Sequence, residues 1–115
     1  MTLKQDRISL ARQQLADSGL TAKYSPATTE GHTVENDGKV LLHIKNVGKA
    51  EITVTVLTAY VRAGLKLADR TITVEAGEEA FVGPFPVDIY NQADGRIHIE
   101  YSDPANTKVA ILKVG

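Results

Sequence analysis

Hydrophobic and polar residues alternate most regularly between Val40 and Leu57. Val40, Leu42 and Ile44 fall on one side of the first run, with His43 and Lys45 on the other. In the second run Ile52, Val54 and Val56 oppose Glu51, Thr53 and Thr55. A period of two is what a half-buried strand requires, because successive side chains leave opposite faces of the pleat. Asn46-Val47-Gly48-Lys49-Ala50 separates the runs, and Asn46 and Gly48 tolerate the positive φ of tight reversals. The pattern predicts a β-hairpin with both strands laying one apolar face on a common core.

The same period recurs downstream. Ile72 and Val74 alternate with polar neighbours, Ala76-Gly77-Glu78-Glu79 reads as a turn, and Ala80–Val82 reads as a short strand. Gly83-Pro84-Phe85-Pro86 follows; prolines lack a ladder donor, which places this segment at a sheet edge or a bend between sheets. Val87, Ile89 and Asn91 alternate with Asp88 and Tyr90, Asp94-Gly95 supplies a hairpin turn, and Ile97, Ile99 and Tyr101 alternate with Arg96, His98 and Glu100. Asp103-Pro104-Ala105-Asn106 turns again. Val109–Val114 is an apolar run suited to burial on both faces. Thr58–Arg70 shows no clear period and reads as a loop crossing between sheets. Residues 20–38 are extended and loop-like, with a weak strand signal near Thr21–Ser25 and a turn at Asn36-Asp37-Gly38.

The first 19 residues differ. Ile8, Ala11 and Leu15 stand at helical spacing, Asp6 is a candidate cap and Gly19 a stop. The spacing predicts a short helix over residues 7–17. A helix of that length is marginal alone and must dock, on the body or on a neighbouring subunit. The domain organisation expected is a helical arm, 1–19, ahead of one β domain, 20–115. About seven strands with turn signals every 8–15 residues point to a mainly β, antiparallel sandwich, immunoglobulin-like or jelly-roll-like.

Composition sharpens this reading. Val, Ile and Thr make up 30 of 115 residues, a level that favours pleated surfaces. Cysteine is absent, which excludes disulfides and thiolate metal sites. The net charge is −1 with signs interspersed. That offers neither a nucleic-acid patch nor a polybasic membrane anchor. No apolar run has the length of a membrane span, and the N-terminus lacks the apolar core of a signal peptide, so export by that route is not expected.

Catalytic patterns are equally sparse. His43 and His98 both fall on polar strand faces and are candidate neighbours, but no HxH or HExxH spacing supports a metal site. Glu78-Glu79 sits in a turn, where solvated acids are ordinary, and no serine has a nucleophile-elbow context. No cofactor, metal or enzymatic activity is expected. The most unusual surface signal is Phe81 to Pro86 with Tyr90, since three of the six aromatic residues lie in those ten positions. Either Phe81 and Phe85 plug one end of the core, or Phe81, Pro84, Phe85, Pro86 and Tyr90 form an apolar rim for another subunit. Ile8 and Leu15 are further interface candidates.

The succession Asn36-Asp37-Gly38-Lys39-Val40-Leu41-Leu42-His43-Ile44-Lys45-Asn46, Ile52-Thr53-Val54-Thr55-Val56, Thr73-Val74-Glu75-Ala76-Gly77, Gly83-Pro84-Phe85-Pro86, Tyr90-Asn91-Gln92-Ala93-Asp94-Gly95 and Tyr101-Ser102 resembles a group of small tailed-bacteriophage proteins. These are encoded among virion assembly genes, beside the major capsid protein, and mostly lack an assigned function. The resemblance covers residues 20–115. It implies a structural virion component, a capsid decoration (cement) protein or a head–tail connection protein. It implies the major capsid protein or other virion proteins as partners, with homo-oligomerisation, and a place in the virion after synthesis in the host cytoplasm. It carries over no catalytic residue. An immunoglobulin-like module recognising carbohydrate or a cell surface is the competing expectation, and the absence of Trp equips the chain poorly for it.

Overall fold

The computed structural model describes residues 7–15, 19–20 and 23–114. In chain order the strands are β1 (Ile8–Ser9), β2 (Arg12–Gln14), β3 (Ser25–Pro26), β4 (His32–Glu35), β5 (Val40–Asn46), β6 (Ile52–Val56), β7 (Val61–Arg62), β8 (Leu65–Lys66), β9 (Arg70–Val74), β10 (Glu79–Val82), β11 (Arg96–Tyr101) and β12 (Thr107–Lys113). One short helix, α1 (Val87–Tyr90), lies between β10 and β11. The first sheet has the order β1-β4-β11-β6-β9. The second has the order β10-β5-β12-β2, with β3 also pairing β12. β7 and β8 form a separate two-stranded ribbon. Pairing is antiparallel except for β1 with β4 and β2 with β12.

The alternating runs bury the faces expected of them. Val40, Leu42 and Ile44 from the second sheet and Ile52, Val54 and Val56 from the first meet in one core, with Val34, Ile97, Ile99, Val109 and Ile111. β12 is buried through Val109, Ala110, Ile111 and Leu112, as its unbroken apolar run implies. It lies between β5 on one side and β2 and β3 on the other, so both of its edges are paired.

The predicted hairpin does not form. β5 and β6 lie in different sheets and face each other across the core, so Asn46–Ala50 arches between layers. Two strands sharing one core can lie side by side or face to face, and the arch is held in the second geometry by Asn46. Its buried side chain donates to the carbonyls of Ala50 (2.7 Å) and Val74 (3.0 Å) and accepts from the Gly48 amide (2.9 Å). Gly48 is needed for closeness rather than for φ, since a Cβ there would stand 2.7 Å from the Asn106 side chain. From β4 onward the chain changes sheet at every connection but one. The exception is β6 to β9, so Thr58–Arg70 does not cross between sheets as expected; it carries the ribbon and returns to β6.

Four more expectations are corrected. The helix over residues 7–17 is absent from its described part, 7–15, while Asp6 and residues 16–17 lie outside the described residues. Residues 8–9 pair with β4 and 12–14 with β12. A helix this short is marginal on its own, whereas two open sheet edges offer its backbone ready partners. Leu10, where the segment passes from one sheet to the other, enters the core. β4 was hidden in the apparent loop 20–38 because His32 and Thr33, both buried, blur its apolar face; of the weak strand near Thr21–Ser25, residues 21–22 lie outside the described residues. Val87–Asn91 winds into α1 instead of extending, with the amides of Ile89 and Tyr90 both donating to the Pro86 carbonyl (3.2 and 3.1 Å). Asp94-Gly95 accordingly leads from α1 into β11 and does not close a hairpin.

Candidate docking surface

The Phe81–Pro86 edge divides in two. Phe85 is 2% exposed and Tyr90 is buried, their rings edge to face with centroids 5.3 Å apart. These two plug the core and are not surface groups, contrary to the rim expectation for them. Phe81 is 65% exposed, and Pro84 and Pro86 are exposed beside it. The segment thus gives Phe85 and Tyr90 to the core and leaves Phe81, Pro84 and Pro86 at the surface. The backbone here is pinned: Asn36 donates to the Phe85 carbonyl (2.9 Å) and to Asn91 Oδ1 (2.8 Å), and Asn91 donates to the carbonyls of Asn36 and Gly95 (both 3.1 Å). The Gly83–Pro84 peptide is cis. Gly83 has φ +126°, and a Cβ on it would lie 2.7 Å from the Val40 carbonyl oxygen.

A cleft of about 470 Å³ opens at this edge, walled by Phe81, Pro84, Phe85, Pro86 and Tyr90, with Arg70 on its border. Directly before Arg70 in the chain stands the β7–β8 ribbon, a feature that sequence reasoning missed. Ala63 (φ 53°) and Gly64 (φ 79°) make its two-residue turn with positive φ at both positions, the geometry that suits tight hairpins. The ribbon presents Val61, Leu67 and Leu65, the last 74% exposed. Its base is fastened by Thr58, which donates through its amide to Asp69 (2.9 Å) and through its hydroxyl to the Leu67 carbonyl (2.5 Å), and by Lys66 on Asp69 (2.5 Å). Burial alone would raise the Asp69 carboxyl, but the hydrogen bonds from Lys66 and Thr58 outweigh it and hold it below the usual range. The ribbon base also reaches α1, where the Ala59 amide donates to the Ile89 carbonyl (2.8 Å).

Ile8 and Leu15 are exposed, as interface candidates must be, but they lie elsewhere. Ile8 is on β1 and Leu15 follows β2, and both strands sit at the ends of their sheets opposite β9 and β10. The candidate residues thus lie at opposite ends of the two sheets.

The histidines are parted. His43 stands on β5 of the second sheet and His98 on β11 of the first, so they are not neighbours on one sheet face as anticipated. His43 is buried under Phe81, with rings 4.0 Å apart and nearly parallel; Tyr24 Oη is 2.6 Å from its Nδ1 and Glu79 Oε1 is 2.8 Å from its Nε2. Lys45 caps the Tyr24 ring at 4.0 Å. His98 Nε2 bonds Asp94 (2.8 Å). Burial would raise Asp94, but the bonds from His98 and the Arg96 amide hold its carboxyl low. His32 and Tyr101 are paired at 2.6 Å in a poorly hydrated position. Burial lowers the His32 pKa and pushes the Tyr101 hydroxyl well up, so both are neutral near pH 7. Among the described residues no three His, Asp or Glu side chains gather as a metal set, and no helix is long and apolar enough to cross a membrane.

Comparison of the chain with family models, with curated proteins and with solved structures found no match.

Proposed function

We propose that this chain is a structural protein of a bacteriophage virion, a decoration protein that binds and stabilises the head lattice. The observation that carries the reading is a pinned two-sheet body with exposed apolar side chains at opposite ends of its sheets, Phe81, Pro84 and Pro86 by β10 and Ile8 and Leu15 by β1 and β2, and more on the β7–β8 ribbon. The resemblance of residues 20–115 to small virion proteins supports it independently. Two sheets meeting in one core support the finer reading of the body as a β-sandwich. A protein that reinforces a shell must contact at least two neighbours at once, and exposed apolar groups at opposite ends of the sheets permit that. Surfaces of this kind work by burying area, about 800 Å² per partner for a full-size contact, and repetition multiplies a modest affinity. The partners are the major capsid protein or other virion proteins, and further copies of this chain.

Mass spectrometry of purified particles, with and without the gene, tests the proposal. The expected result is the protein in stoichiometric amounts, and particles that shed their contents at lower temperature without it. Intact particles lacking the protein would defeat it.

A further inference from the structure

The first sheet ends in β9 and the second in β10, and among the described residues the outer side of each has no strand partner. The cleft lies between these edges, since its lining takes Arg70 from β9 and Phe81 from β10. An edge strand carries a row of backbone N–H and C=O groups without ladder partners, and such a row accepts an added strand. Of the rings that line the cleft, those of Phe81, Pro84 and Pro86 are exposed, while Phe85 and Tyr90 close its floor from the core side. Arg70 alone among the lining residues is charged. It is exposed, and no carboxylate of the described residues stands within ion-pair distance of it. Asp69, directly before it in the chain, is engaged by Lys66 and Thr58; Glu79 on β10 is bonded to His43, and Asp88 of α1 does not line the cleft. A guanidinium beside apolar walls is suited to a carboxylate, which it grips with two parallel hydrogen bonds. A volume of about 470 Å³ admits one or two large side chains, not a folded domain.

We propose that the cleft between β9 and β10 binds an extended acidic segment of a partner protein. The segment adds to the sheet edge through its backbone, seats an apolar side chain against Phe81 and the two prolines, and pairs a carboxylate with Arg70. This names the partner chemistry of the docking edge and rests on the preceding reading only in taking that edge to be a docking surface.

The test is selection from a displayed library of random octapeptides against the whole protein, with binding of the winners measured by fluorescence anisotropy. The expected winners carry an acidic residue one or two positions from a large apolar one. Their affinity falls by about tenfold or more in Arg70→Gln, the usual cost of losing a charge-assisted pair, and falls also in Phe81→Ser. Both positions are exposed, and circular dichroism confirms that the variants fold. No common pattern, a pattern without an acid, or winners indifferent to Arg70→Gln would each overturn the inference. Particle incorporation reports separately. Peptide selection failing while the protein is found in particles sinks only this inference, and a successful selection with empty particles sinks only the virion assignment.

Discussion

Phe81 and Phe85 are four positions apart and of one residue type, yet the structure assigns them opposite roles, which makes them a sensitive pair. Phe85→Ala removes a ring that is 2% exposed and edge to face with Tyr90. Truncating a buried Phe costs about 3–5 kcal/mol, transfer and cavity together. For a chain of 115 residues, the unfolding entropy is about 0.24 kcal/mol per kelvin, so Tm should fall by roughly 12–20 °C. Phe81→Ala removes a ring that is 65% exposed. What it loses is the stack on His43, about 0.5–1.5 kcal/mol, or roughly 2–6 °C. Differential scanning calorimetry of the two variants under one buffer condition decides the matter. Equal losses, or a larger loss from Phe81→Ala, would show that the division of this edge into plug and surface is wrong.

Other expectations follow from single contacts. Asn46→Ala forfeits three hydrogen bonds at the arch and should cost about 2–4 kcal/mol in urea unfolding, at about 1 kcal/mol each; a loss below about 1 kcal/mol would mean the arch does not depend on it. Gly83→Ala meets both a positive φ and the Val40 carbonyl, whereas Gly64→Ala meets only the positive φ, so the first should be clearly the more destabilising. The His32 pKa is lowered by burial, so below its ordinary value of 6.5 the unfolded chain takes up a proton that the folded one resists. Stability should decline as pH falls from about 6.5 and level off beneath the folded pKa. A decline that persists unchanged in His32→Gln would assign it to other groups. Leu65→Asp should leave the unfolding free energy within about 0.5 kcal/mol of the parent in urea titration while abolishing incorporation into particles.

The alternating runs told which side of each strand is apolar, and those assignments in β5, β6 and β11 are realised in the core; the apolar run Val109–Val114 is buried through Leu112, while Val114 is exposed. They could not tell which strand lies beside which. A period of two reports a face, not a neighbour, so β5 and β6 read as a hairpin when they belong to opposite sheets. Residues 7–15 misled for a related reason: Ile8, Ala11 and Leu15 have helical spacing, but the free energy of that segment is decided by open edges on β4 and β12, which are far away in sequence. At the docking edge, the cluster of aromatics and prolines was visible. Its division was not, because nothing local distinguishes Phe81, at the surface of an edge strand, from Phe85, whose carbonyl Asn36 holds over the core. The ribbon was legible in principle from Ala63-Gly64 between two apolar-basic pairs, Val61-Arg62 and Leu65-Lys66, but two-residue strands are too short to show a period.

The parallel pairing of β2 with β12 has a mechanical consequence. Arg12–Gln14 runs in the same direction as Ile111–Lys113. Tension that draws the two ends of the polypeptide apart therefore slides these strands past one another, and the bonds between them are strained together, not peeled singly. Rupture under load is governed by the unfolding rate and not by equilibrium stability. Pulling between the chain ends in an optical trap should thus require more force than pulling from points that open the antiparallel β5–β10 pair from one end. A body hung between neighbours by its extremities would yield late, and all at once.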